Sequence, residues 1–557
     1  MKFRLAGLAF LPLLAAASLY GQPSLRLVDP LEPVYPDSNS LPGYISEIEM
    51  YFPLGTGADV HVLIDAPAGV SFSISGTIDG REIPPGWWSR LIDVPVEQNT
   101  GLDSRTEIFT HRKNPFVIRR APFRIYDVIQ PLSANRVTAR GKFTALRLDV
   151  PEAALRKPGT YTIEISAVGK EWKQRGTFRA VVTGARVPPL SESTFFYSNW
   201  FNPGQMEAKH SLIRWSEAWF TMLDRYAALM AHGRQSSIMI PAELMSSGDG
   251  RITLDDGNLA RFVGTFRKRG FRYVEAPMLM YRGDNDDWSD PELKVILTKR
   301  RYYTGGGKKD VDTIVAIMRD FAAENGLNGC WLQHVSDEPG AVQAACYRDV
   351  VRQVRSIFPG VRIMDAISDR DTLVGAVDFW CPTIDDYQLH EPFFNGRQAR
   401  NEKVIVYTCL VPGGKWLNRL LDQERLREVY FGWGAAHFGT SGYLHWGLNQ
   451  YVVSDPFAQS VVHHPSPAAG PDNFLPAGDT HIIYPGPDGP LSSIRFEAVR
   501  TGIEDYEILE LLKKDDSRKF DALIREVFRD YTDYSTDVRA YRRARKELLE
   551  AAAPTGQ

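Results

Sequence analysis

Two consecutive acids, Asp337 and Glu338, stand in "HVSDEPG" (His334 to Gly340), directly after an apolar run and directly before a proline. Neighbouring carboxylates resist being ionised together, so one of such a pair keeps its proton near neutral pH. A protonated acid beside an ionised one is what cleavage of a glycosidic bond requires. An ordinary glycosidase pair, however, flanks the scissile bond from different elements about 5 to 9.5 Å apart. Consecutive residues sit on one side of the sugar, which suits a substrate whose own 2-acetamido oxygen attacks the anomeric carbon. Asp337 would then orient the acetamido N–H, while Glu338 protonates the leaving oxygen and later activates water. The plain alternative is a strand-end turn in which one acid caps the next helix.

The elements around the pair decide between these readings. From about Thr194 onward, eight apolar runs read as strands: "TFFYSNW", "SSIMIPAEL", "FRYVEAPML", "CWLQHVS", "VRIMDAIS", "VDFWCPTI", "KVIVYTCL" and "GYLHWGLN". Helical stretches such as "TIVAIMRDFAAENG" and "YRDVVRQVRSIFPG" lie between several of them, each closed by a glycine suited to a helix C-terminus. Apolar strands with helical crossovers predict a parallel sheet covered on both faces, and eight of them predict a (β/α)8 TIM-type barrel before an open doubly wound sheet. On that count Asp337 and Glu338 stand at the C-terminal mouth of the fourth strand. Pro339 excludes the right-handed helical region at Glu338 and predicts an extended backbone there.

Ahead of the barrel, residues 22–188 show short alternating runs ("DVHVLID", "VSFSISGTI", "FTALRLDV") between turn signals, the pattern of a β-sandwich. The expected organisation is a signal peptide over 1–21, a sandwich over 22–188, a barrel over 189–490 and a C-terminal strand with helices over 491–557. In that last segment Thr501 and Glu504 have capping-box spacing, which predicts a helix start there and a capping role for Glu504.

"VSDEPG", "GDTHIIYPG" (Gly478 to Gly486) and "SSIRFEAVRTGIEDYEIL" (Ser492 to Leu509) resemble glycoside hydrolase family 123 and its relatives with a DUF4091-type domain. The resemblance covers roughly residues 190–512. It implies a β-sandwich ahead of a (β/α)8 barrel and an exo-acting β-N-acetylgalactosaminidase working by substrate assistance. Asp337 then takes the acetamido-stabilising role and Glu338 the acid/base role. It implies a glycan bearing a 2-acetamido sugar as substrate, and no cofactor is expected. Two other readings stay open: a glycosidase for another sugar that pairs Glu338 with a distant carboxylate (Glu243, Glu275, Asp365 or Asp386), and a non-catalytic glycan-binding protein.

A sugar site also needs aromatic platforms and polar groups for hydroxyls. Trp446, ending the eighth strand, is the expected floor, with Asn449 nearby. Tyr387, read as lying on a loop after the sixth strand, is preferred over Tyr407 as donor to the acetamido carbonyl. Asp386 on the same loop, Asn199 and Trp200 ending the first strand, Glu243 after the second and Glu275 on the third complete the candidates. His334 reads as a hydrogen-bonded interior histidine. The segment between the third and fourth strands reads as a rim loop, in which Trp288, Tyr302 and Tyr303 could form the leaving-group side. Its "TGGGKK" lacks the Ser or Thr of a phosphate loop, and no HExxH or similar spacing supports a metal.

Composition sets the outer bounds. A chain of 557 residues exceeds one ordinary core, and 43% apolar with 24% charged residues is globular. A net charge of −3 gives no reason to expect nucleic acid or an anionic membrane as partner. Lys2 and Arg4 ahead of "LAGLAFLPLLAAASLY" predict an export signal removed near Gln22, hence a periplasmic or secreted protein without stable membrane insertion. Cys330, Cys346, Cys381 and Cys409 lack metal spacing and are expected as free thiols rather than bridges.

Overall fold

A computed structural model describes residues 23–37, 46–103, 105–283, 287–466 and 470–554. The export signal and its cleavage point lie outside them. The N-terminal region holds two sheets. One has seven strands in the order Ser24–Val28, Ala58–Asp65, Phe143–Val150, Trp88–Val96, Phe123–Pro131, Pro490–Ser493 and Tyr484–Pro485. The other is built on Glu47–Leu54, Lys173–Arg186, Gly159–Val168 and Ser71–Ile78. Period-two alternation explains both: in Lys173–Arg186 every second side chain from Gly176 to Val182 is buried. Leu25, Val60, Val62 and Leu146 from the first sheet share one core with Phe52, Ile74, Ile163 and Phe178 from the second.

The last two strands of the seven come from the far end of the chain, so the C-terminal part is stitched into the N-terminal sheet. A fully buried ion pair reinforces the seam. Arg495 donates to Asp127 at 2.9 Å and to the carbonyls of Gly478 and His481 at 2.8 and 3.1 Å, and the Tyr484 hydroxyl reaches the same Asp127 at 2.8 Å. The motif "GDTHIIYPG" is thus partly a clasp.

All eight apolar runs carry parallel pairs. They do so as two sheets rather than as the single closed ring expected. Six short strands (Ser237–Met239, Tyr273–Glu275, Trp331–Gln333, Arg362–Ala366, Phe379–Cys381, Lys403–Val404) form one sheet, and Phe196–Asn199, Gly442–His445 and Val406–Tyr407 form the other. The seventh run splits between the two sheets, which is why the ladder breaks there. Helices Gly307–Glu324 and Ala344–Ile357 cover the outside, and Gly326 (φ 65°) and Gly360 (φ 80°) close them in the left-handed conformation that glycine permits.

The C-terminal helix runs over Ile494–Asp515, capped by Ser493, whose hydroxyl accepts from Phe496 N at 3.1 Å. Thr501 and Glu504 therefore lie inside it and form no capping box; Glu504 instead pairs with Arg500 at 2.8 Å. The sequence hides the true start because this helix is buried nearly all round, charged residues included, and carries no clean amphipathic stripe. All four cysteines are unpaired. Among the described residues no helix is long and apolar enough to cross a membrane.

Candidate active site

Strand Trp331–Gln333 ends one residue before His334, and the neighbouring strand Arg362–Ala366 captures the chain as it leaves. The Asp365 carboxylate accepts Val335 N at 3.0 Å and Ser336 N at 3.4 Å, and Ala366 O accepts Glu338 N at 3.0 Å. The chain is thereby turned so that Asp337 and Glu338 are both partly accessible above a buried floor. Glu338 is not extended as expected: its φ is 44°, in the left-handed region. Proline excludes only the right-handed helical alternative, and tertiary hydrogen bonds select the strained one. Arg282 supplies two of them, donating from one nitrogen to Asp337 O at 2.5 Å and Glu338 O at 3.0 Å.

Burial and the adjacent Glu338 charge push the Asp337 carboxyl up to about 7, with Arg282 opposing. Of the pair, Asp337 is thus the acid whose protonated form burial favours. Tyr407, on the second parallel sheet, donates its hydroxyl to Glu338 Oε1 and so fixes one oxygen of that carboxylate.

Beneath the pair, His334 is fully buried between two carboxylates, with Nδ1 3.0 Å from Asp365 and Nε2 3.0 Å from Glu275. Burial alone would lower its pKa; the bonds to Asp365 and Glu275 overcome this and raise it to about 10, so it is a cation at neutral pH. The Tyr347 hydroxyl completes the cluster, donating to Asp365 at 2.7 Å. His334→Gln leaves two buried carboxylates without their counter-ion and is expected to cost about 3–5 kcal/mol in urea unfolding. Because the folded pKa lies above the unfolded 6.5, the stabilisation is complete below about pH 6.5 and is lost as pH rises through about 10. The variant should lack that slope.

The other sequence-predicted residues divide. Trp446 is half-buried, with its indole N–H held by Asp479 Oδ1 at 3.1 Å and its ring nearly parallel to His445. Asp479 is buried outright, which raises its carboxyl to about 7 against the pull of Arg419 and Trp446. Trp200 sets its ring edge against His334 at 6.3 Å, and its indole N–H has no partner among the described residues. Asn199 is fully buried and donates to the Tyr197 hydroxyl at 3.1 Å. Asn449 clamps the backbone of Asn202, accepting from its N at 2.7 Å and donating to its O at 3.0 Å.

Tyr387 and Asp386 lie in the helix Ile384–Leu389, not on a loop, because Thr383 caps its start. Tyr387 faces away from the acidic pair: it is buried among Phe394, Phe438 and Tyr531. Of the two tyrosines weighed, it is Tyr407 that reaches the acids. Asp386 pairs with Arg370 at 3.2 Å. Glu243 is 57% exposed and faces Arg214 at 3.8 Å. Tyr302 is buried and bonds Gln353, and Tyr303 bonds Asp349, so both pack on helix Ala344–Ile357. Among the described residues, no group of three or more His, Cys, Asp and Glu could hold a metal ion.

Sequence reasoning missed Arg282, Asp479 and His445. Asp479 stands in the quoted "GDTHIIYPG", which marked the segment but not its contact with Trp446; Arg282, 55 residues before Asp337, had no local signal.

Residues 200–512, more than half of the chain, match the family model for the glycoside hydrolase 123 catalytic domain. No curated protein matches. Among solved structures, a family 123 glycoside hydrolase from Clostridium perfringens, described for glycolipid glycan hydrolysis, superposes with a TM-score of 0.70 at 12% identity, covering 95% of this chain and 97% of that one. An endo-β-1,4-mannanase from Thermotoga petrophila (TM-score 0.35, 10% identity, 57% and 78% covered) and a family 5 mannosidase from Rhizomucor miehei (0.32, 11%, 57% and 92%) are more distant.

Proposed function

The chain belongs to glycoside hydrolase family 123, and from that premise we propose that it removes terminal β-linked N-acetylgalactosamine from glycans by a substrate-assisted, retaining mechanism. The observation that supports this most is the fate of the other carboxylates. Glu275 and Asp365 are spent on His334, Asp479 is buried on Trp446, Asp386 faces Arg370 and Glu243 lies at the surface. None of these five is left as the nucleophile or base of a conventional pair.

In the proposed first step the acetamido oxygen attacks the anomeric carbon as the bond to the leaving oxygen breaks. Glu338 gives that oxygen its proton, and the Asp337 carboxylate accepts the acetamido N–H, facing the positive charge of the oxazolinium. A bond from that N–H favours the ionised form of Asp337. Substrate binding therefore shifts the shared proton from Asp337 to Glu338, where the leaving group needs it. In the second step Glu338 takes a proton from water, which attacks the anomeric carbon and reopens the ring. Trp446 and Trp200 supply apolar faces for the sugar.

The two parallel sheets are read as arcs of a (β/α)8-type barrel, with the sandwich over 22–188, the barrel over 189–490 and the final segment over 491–557. Export follows from the N-terminal segment, and glycans such as those of glycolipids are the first natural substrates to try.

The test is release of nitrophenol from matched β-N-acetylgalactosaminide, β-N-acetylglucosaminide and β-galactoside, with a galacto-configured thiazoline as inhibitor. Turnover confined to the acetamido sugars, fastest on the galacto form and blocked by the thiazoline, is the expected result. Comparable turnover of the plain galactoside would refute the assisted mechanism.

A further inference from the structure

Trp288 is 47% exposed, although a tryptophan ring is among the costliest groups to leave in water. It belongs to no apolar core among the described residues. One face of its indole lies on the Arg282 guanidinium, 3.7 Å from carbon to ring centre, and that same guanidinium holds the backbone carbonyls of Asp337 and Glu338. A second link runs through Gln343, which donates to Trp288 O at 2.8 Å and to Asp290 O at 2.9 Å, and accepts from Gly340 N at 3.3 Å. The segment is braced further: Asp287 takes Ser289 N and Oγ at 2.9 and 2.7 Å, and Arg301 pairs with Asp290 at 2.6 Å. The Trp288 ring stays nearly half exposed on this bonded mount.

We propose that Trp288, carried on Arg282, is the platform of a leaving-group subsite, where the sugar following the scissile bond stacks its apolar face. This rests on the glycosidase reading above and extends it from the sugar removed to the sugar left behind. The placement suits the role, because the indole is one guanidinium away from the main chain of both acids. A platform bolted to that turn sets the leaving oxygen at a fixed offset from the Glu338 carboxyl, and a saccharide bound there spends its binding energy on alignment. Arg282 is then a positioning residue: it joins platform and acids into one body.

The experiment compares kcat/KM for a β-N-acetylgalactosaminyl-galactose disaccharide, which fills the subsite, with that for N-acetyl-β-galactosaminyl fluoride, which does not. In Trp288→Ala the ratio of disaccharide to fluoride should fall by about 10- to 30-fold, the scale of one lost aromatic platform. Trp288→Phe, which keeps a ring, should recover most of it. An unchanged ratio in Trp288→Ala, with a parental melting temperature, overturns the subsite while leaving the proposed function standing. Turnover of neither substrate by the parental protein overturns the proposed function, and the subsite with it.

Discussion

Glu338→Gln is expected to lower kcat/KM for an unactivated disaccharide by about 10³-fold or more, the upper range of what a general acid supplies. The loss should shrink as the leaving group improves. With a dinitrophenyl glycoside the departing oxygen needs little protonation, and kcat/KM reports only the steps up to bond cleavage, so a decrease of about tenfold is expected. Turnover with that substrate should still slow, because attack of water on the oxazolinium needs the carboxylate as base. The geometry adds a constraint. Tyr407 occupies Oε1, so one oxygen remains to carry the transferable proton. Glutamine preserves the Tyr407 contact and the shape of the left-handed turn, so the loss reports the proton rather than a collapsed site. Equal losses on both leaving groups would remove Glu338 from the role of proton donor.

Legibility in the sequence depends on how local each cause is. The acids were locatable because an apolar run and the pair "DE" share one strand and its end, and periodicity carries that far. The left-handed φ of Glu338 was not, since Pro339 narrows the choice and the selection is made by Ala366 O and Arg282, which are remote in sequence. Tyr387 and Tyr407 illustrate the same limit. Tyr387 follows a strand and Tyr407 ends one; Thr383 starts a helix that turns Tyr387 outward, while Tyr407 remains on its strand and points at Glu338. His334 was legible as an interior histidine; its charge was not, because Glu275 and Asp365 come from the strands on either side. The barrel expectation met the same difficulty at the seventh run, whose division between two sheets depends on ladder geometry that composition does not encode.

Asp337→Asn is expected to lower kcat/KM for the acetamido substrate by about 10²- to 10³-fold, the scale of one removed electrostatic partner of a charged intermediate. Asparagine can still accept the acetamido N–H, so what is lost is the negative charge facing the oxazolinium. The pH profile makes the assignment specific. Asp337 must be ionised to play this part, and its carboxyl in the free protein sits at about 7 rather than 3.8. The reactive free enzyme must carry the one shared proton that binding hands to Glu338, so wild-type kcat/KM should fall as pH rises through about 7. In kcat the limb should move to lower pH, because the bound N–H favours the carboxylate. Asp337→Asn should lose this limb. Stability runs the other way: a carboxyl whose folded pKa is raised favours the fold when protonated and loses that contribution as pH rises from about 3.8 to about 7. Above pH 7 the variant should melt no lower than the parent while remaining nearly inactive. A parallel fall in activity and melting temperature, or a limb near pH 7 that survives the substitution, would mean that the charge acting in catalysis is not carried by Asp337.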